Sequence, residues 1–121
     1  ADSASVVLFS SVAAKTGMPF HASIAAAKAG VEGLTRSLAA EWATHKIRVN
    51  AIAPSLTDTS LSTQLLNTDE KRESAARRHP LQQVGDAQEM AAAVKFLLSD
   101  QATWITGQVI GIDGGMGTLK T

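Results

Sequence analysis

Val6-Val7-Leu8-Phe9 is an apolar run without alternation, and it stops abruptly at Ser10-Ser11. A half-exposed strand would carry a polar residue at every second position. The run therefore suits a strand buried on both faces, as in a parallel sheet. Parallel neighbours cannot be joined by a tight hairpin and need a crossover of about a dozen residues or more, usually a helix. The sequence supplies one. Gly17 and Pro19 punctuate a loop over residues 13–20, and an alanine-rich stretch runs from Ala22 to about Thr44. In it Ile24, Lys28, Val31, Leu34, Thr35, Leu38 and Trp42 recur at helical spacing. Residues 1–4 read as a short polar lead and Ser5 to Phe9 as the strand.

The alternation of strand and helix continues. Ile47 to Pro54 reads as a second strand closed by its proline. Residues 61–83 are polar and charged, with a helical core from Asp69 to Arg78. Thr68 is placed to cap that helix, Asp69 and Glu70 occupy its first turn, and Arg77 and Arg78 close it before Pro80. The charges of this segment read as a solvated face. Gly85-Asp86 opens another helix, where Asp86 and Glu89 have capping-box spacing. Met90, Val94, Leu97 and Leu98 form its apolar face. Thr106 to Gly115 reads as the last strand and turn. The pattern predicts an α/β fold: a partial doubly wound, Rossmann-like parallel sheet of about three strands with flanking helices. Residues 1–121 form one domain on this reading.

Composition narrows the function. Eleven basic residues balance eleven acidic ones, which argues against a nucleic-acid or membrane partner held by bulk charge. There is no cysteine, so disulfides, thiolate chemistry and cysteine metal sites are excluded. His21, His45 and His79 show no metal-ligand spacing, and no metal is expected. No stretch approaches about 18 consecutive apolar residues and no signal peptide opens the sequence, so a cytoplasmic location is expected.

In open α/β sheets, ligands sit outside the carboxyl ends of the strands. The stretch at the first such end, Ser10 to Lys28, reads SSVAAKTGMPFHASIAAAK. It resembles the active-site segment of the short-chain dehydrogenases/reductases, a strand ending in Ser-Ser and then Tyr-x-x-x-Lys on the next helix. Three further segments resemble that family in the same order: Arg48-Val49-Asn50 with Pro54, then Pro54-Ser55 with Thr59, then Thr106-Gly107-Gln108 with Asp113-Gly114-Gly115. The resemblance implies roles. Ser11 would polarise a substrate carbonyl, and Lys28 would hold the nicotinamide ribose and lower the pKa of the tyrosine. Pro54, Thr57 and Thr59 would lie against the nicotinamide carboxamide and a nearby phosphate. Ser55 stands where the family usually has glycine. The tyrosine position is Ile24, and the chain contains no tyrosine at all. Isoleucine has no proton to transfer. His21, three residues earlier, is a weaker candidate for the acid, its plainer reading being a loop histidine at a helix start.

The resemblance covers Ser5 to Gly115, which corresponds to the carboxyl-terminal half of the family's domain. No glycine-rich phosphate loop stands between a strand and a helix in these residues. Gly111 to Gly117 follows the last strand and has no helix after it. The resemblance therefore implies NAD(P)(H)-dependent alcohol or carbonyl redox chemistry with a small-molecule substrate, NAD or NADP as cofactor, and a chain inactive and unable to bind the cofactor tightly by itself. The alternative is a non-catalytic assembly module or a fragment completed by another chain. The first strand would be central in the family, so here it is expected to present an apolar edge. Ala22, Ala25, Ala26, Ala29 and Gly33 form a small-residue flank suited either to packing on the sheet or to a helix–helix contact. A homo-oligomer or a complementing amino-terminal chain is the expected partner.

Overall fold

A computed structural model describes residues 3–121 of the chain. Of the polar lead, residues 1 and 2 lie outside the described range, and Ala4 already belongs to the first strand. The elements run β1 (Ala4–Phe9), α1 (Ala22–Trp42), β2 (Ile47–Pro54), β3 (Thr57–Asp58), α2 (Thr63–Leu66), α3 (Asp69–Arg77), β4 (Gly85–Asp86), α4 (Ala87–Leu98) and β5 (Val109–Ile112). The main sheet has the order β1-β2-β5, and both pairings are parallel. This is the α/β, Rossmann-like arrangement of three parallel strands with flanking helices that the apolar runs predict. β3 and β4 form a separate two-stranded parallel ladder.

β2 is the centre. Val49, Asn50, Ala51, Ile52 and Ala53 are all buried, so both faces of this strand are covered. Side chains alternate along a strand. Ile52 therefore faces α4, where it packs with Met90 and Leu97 among Val7, Val94, Ile110 and Ile112. Val49, Ala51 and Ala53 face the side on which α1 crosses β2. Alanine at two of these three positions leaves room for a close helix.

That close approach selects which stripe of α1 goes inward. Ala25, Lys28, Glu32, Thr35, Ala39 and Trp42, at alternating spacings of three and four, are buried or half-buried, and Val31, Gly33 and Leu38 beside them are half-buried. Ile24 and Leu34, expected on the inward face, are exposed. The apolar residues of α1 spread too widely around the helix for all to be covered by one narrow strand surface. In α4 the expected Met90, Val94 and Leu97 face the core with Ala93, whereas Leu98, at the last position, is exposed. Asp86 accepts from the Gln88 amide at 2.8 Å, but Glu89 closes no reciprocal bond among the described residues. The capping box forms instead at Thr59 and Ser62. Thr68 caps α3 as expected, accepting from the Lys71 amide at 3.1 Å.

β1 pairs with β2 alone among the described residues. Val6, Val7 and Leu8 are half-buried and Phe9 is exposed. The far side of β1 thus presents a row of unpaired backbone groups beside apolar side chains, the open edge that the sequence predicts.

Candidate active site

The three parallel strands end on one rim. Phe9 lies beside Ile52 and Pro54 beside Ile112, so Ser10-Ser11, Ser55 and Asp113 all follow carboxyl ends of neighbouring strands. The Ser10 amide donates to the Ile52 carbonyl at 2.8 Å, extending the ladder by one residue. The chain then turns away. Ser11 caps a short 3₁₀ turn over Val12–Ala14, its Oγ accepting from the Ala13 amide at 3.1 Å. That bond uses a lone pair and leaves the hydroxyl proton free to donate.

Lys28 reaches this rim from α1. Its Nζ donates to the Phe9 carbonyl at 2.9 Å, and no carboxylate pairs with it among the described residues. Ile24 precedes it by one turn and is 43% exposed. One turn after Lys28, the Glu32 carboxylate accepts from the buried Ser10 hydroxyl at 2.5 Å. A longer contact from the Ser10 hydroxyl to the Lys28 carbonyl, at 3.4 Å, also ties the strand end to α1, and Ile24, four residues before Lys28, shares its side of the helix. His21 sits half-buried just before α1, with its Nδ1 2.8 Å from the Pro19 carbonyl.

The loop after β2 is held by its own side chains. The Thr57 hydroxyl donates to the Ser55 carbonyl at 2.9 Å. Ser62 Oγ donates to the Thr57 carbonyl at 2.7 Å and accepts from the Thr59 amide at 2.9 Å. Thr59 Oγ1 accepts from the Leu61 amide at 3.3 Å. Pro54, Thr57 and Thr59 therefore line a pre-formed turn at the rim. The cavity of about 270 Å³ that Ser11 lines also includes Lys15, Glu32 and Asp113, but neither Lys28 nor Thr59. The structure thus gathers the sequence-picked residues along one rim without enclosing them in that one pocket. No group of three or more histidine, cysteine or carboxylate side chains is placed to hold a metal among the described residues.

The profile of a family described as enoyl-(acyl carrier protein) reductase matches residues 1–117. A short-chain type dehydrogenase/reductase from Mycobacterium ulcerans superposes with a TM-score of 0.89 at 34% identity, over 96% of this chain and 42% of that one. The chain belongs to the short-chain dehydrogenase/reductase family. Within this family it is 45% identical over 112 residues to a 3-oxoacyl-(acyl-carrier-protein) reductase of Thermotoga maritima, covering 93% of this chain and 45% of that protein. It is 42% identical over 115 residues to a protein of Xanthobacter autotrophicus named inactive 2-(S)-hydroxypropyl-CoM dehydrogenase 2, covering 92% of this chain and 50% of that one. Several matching solved structures hold NADP or NADPH. The chain spans about half the length of the curated relatives it matches.

Sequence reasoning gave no role to three residues of the short-chain dehydrogenase rim. Ser10 is buried and bonded to Glu32, although the sequence motif points to Ser11. Glu32 follows Lys28 by one turn, and that spacing could have signalled a second polar residue facing the strand end. His79 lies in the segment read as a solvated face, yet it is 2% exposed. Its place directly before Pro80, where a helix must stop, was the available sign of a fixed position.

Proposed function

We propose that this chain is the substrate- and nicotinamide-facing half of an NAD(P)(H)-dependent alcohol or carbonyl oxidoreductase, and that it is catalytically silent by itself. Ser11 supplies a hydroxyl donor toward a substrate carbonyl, Lys28 a cation for the nicotinamide ribose, and the Pro54–Thr57–Thr59 turn the surface for the carboxamide. The observation that carries the silence is Ile24, which stands one turn before Lys28 where the family's proton donor belongs. The residues present fit the nicotinamide end of the cofactor: the Lys28 ammonium has no carboxylate partner among the described residues, and the turn is held by its own side chains. When bound, the cofactor would supply the hydride. Its pyrophosphate would need backbone N–H groups at a helix N-terminus after a glycine-rich loop, and these 121 residues offer none. Calorimetric titration of the chain with NADH and NADPH is expected to give no dissociation constant below about 10 μM, equivalent to roughly −7 kcal/mol. Tighter binding would refute the reading.

A second reading, an assembly module, is favoured by a different observation. Ala22, Ala26 and Ala29 are exposed on α1, and a Cβ added at Gly30 or Gly33 would meet nothing within 4 Å. Small side chains with open space above them permit close backbone approach of a second helix. The open edge of β1 adds a template for a further strand. Sedimentation velocity is expected to show dimers or larger species that grow with concentration. A clean monomer at high concentration would count against both surfaces.

A further inference from the structure

The redox reading leaves one chemical pair unused. Ser55, directly after Pro54 at the end of β2, has its Oγ 2.7 Å from His79 Nε2. His79 is 2% exposed, and its Nδ1 lies 2.8 Å from the Ala75 carbonyl oxygen. A carbonyl only accepts, so Nδ1 carries the proton and Nε2 is left as a lone-pair acceptor. The Ser55 hydroxyl therefore donates to Nε2. Its other neighbour, Met116 Sδ at 3.4 Å, is a weak acceptor.

The local fold fixes this arrangement. Just past α3 the His79 amide donates to the Ala76 carbonyl at 3.0 Å, and Pro80 stops the helix. The imidazole folds back one turn onto Ala75. Gly114, with φ of 61°, brings backbone against it: a Cβ there would lie 3.4 Å from His79 Cβ. A base held by a third group and bonded to a serine is the pattern of an activated nucleophile. Here the third group is a backbone carbonyl rather than a carboxylate.

The pair also has somewhere for a substrate to sit. Ser55 and His79 line a cavity of about 300 Å³ whose walls include Leu56, Leu81, Val84 and Met90. That volume is at the small end of ligand pockets, and Gln83, Glu89 and Asp113 make its lining about as polar as apolar.

We propose that Ser55 and His79 form a nucleophile–base pair that accepts a short acyl group from a small ester. Ser55 Oγ bonds to the ester carbonyl carbon while His79 Nε2 takes its proton. The bond from that carbon to the leaving oxygen breaks, and the leaving oxygen takes the proton from Nε2. The products are acyl-Ser55 and an alcohol. Water then attacks the acyl carbon, giving its proton to Nε2. The bond to Oγ breaks, Nε2 returns a proton to the serine, and a carboxylic acid leaves. Nothing is oxidised or reduced, so the step needs no nicotinamide, although Ser55 lies in the turn that the redox reading assigns to the carboxamide.

The test uses p-nitrophenyl acetate with the purified chain, following nitrophenolate release, intact mass and peptide mapping. The expected result is one acetyl group per chain, located on Ser55. Ser55→Ala should abolish that label, and His79→Gln should slow its formation by about 10² or more, the usual worth of a general base. Circular dichroism confirms that each variant is folded. If His79→Gln fails to fold, the mapped position of the acetyl group in the unaltered chain still decides. Acetylation spread over lysines with Ser55 unmodified, or an equal nitrophenolate burst from Ser55→Ala, overturns the proposal.

Discussion

Ile24→Tyr alone is expected to leave ketone reduction undetectable, whereas the same substitution should raise turnover by about 10²- to 10⁴-fold once the amino-terminal half of a family reductase is supplied in trans. A tyrosine at this position would lie one helical turn from Lys28, on the rim where that lysine already bonds to the Phe9 carbonyl. A neighbouring ammonium favours the phenolate and lowers the phenol pKa from its reference value of about 10. General acid–base catalysis is worth about 10² to 10⁴ in rate, which sets the expected gain in the completed site. Holding hydride donor and acceptor in register accounts for roughly 7–11 kcal/mol of barrier. On the proposed reading, Lys28 and the turn after β2 supply the nicotinamide end of that grip, and its pyrophosphate end would come from the added half. The two changes should therefore be strongly non-additive. Absorbance loss at the reduced-nicotinamide band, with a panel of ketones, measures it. Turnover from the single variant without an added half would show that the cofactor grip is more complete than the rim indicates. Equal rates for the unaltered chain and the Ile24→Tyr variant in the completed complex would remove Ile24 as the cause of the proposed silence.

The fold was legible because the run Val6-Val7-Leu8-Phe9, apolar without alternation, suits a buried parallel strand, and strand and helix patterns alternate after it. The parallel direction of the strands is what their helical crossovers require, while the order β1-β2-β5 comes from the folded sheet. The stripe of α1 that turns inward was legible except at Ile24 and Leu34. Their exposure depends on the alanines of β2, which face α1 only after register is set, and Leu34 lost to Thr35 and Ala39 on grounds of size. The rim was half legible. Ser11 and Lys28 stand out because serine at a strand end and lysine inside an apolar helix are conspicuous. The pairs Ser10–Glu32 and Ser55–His79 join residues 22 and 24 positions apart. Only the folded rim brings them together: the spacing of Glu32 after Lys28 could mark the side chain but not its partner.

Asn50→Ala is expected to lower the unfolding free energy by about 3 kcal/mol, a large part of the roughly 5–15 kcal/mol typical of a domain. Asn50 is fully buried in the middle of β2, where a strand that faces apolar neighbours would ordinarily carry an aliphatic residue. Its amide has two bonds. Nδ2 donates to the Ile105 carbonyl at 3.0 Å, and Oδ1 accepts from the Gln108 amide at 3.0 Å. Those contacts seat the turn that leads into β5, beside Ala51, whose amide donates to the Gln108 carbonyl at 2.8 Å. Removing the side chain takes a partner from each group, and an orphaned buried group costs about 1–3 kcal/mol. Arg48 shares the load: its guanidinium donates to the same Ile105 carbonyl at 3.3 Å and to the Ser99 carbonyl at 3.2 Å. The Ile105 carbonyl keeps one donor in either single variant and loses both in the double variant. Arg48→Ala with Asn50→Ala should therefore cost more than the sum of the two alone, by about 0.5 kcal/mol or more, as coupled neighbours do. Urea unfolding of the four proteins measures the cycle. A loss within about 0.5 kcal/mol for Asn50→Ala, the range of ordinary surface substitutions, would mean that the turn into β5 is held by the Ala51–Gln108 ladder alone. Strict additivity would mean that the two donors act on the turn independently.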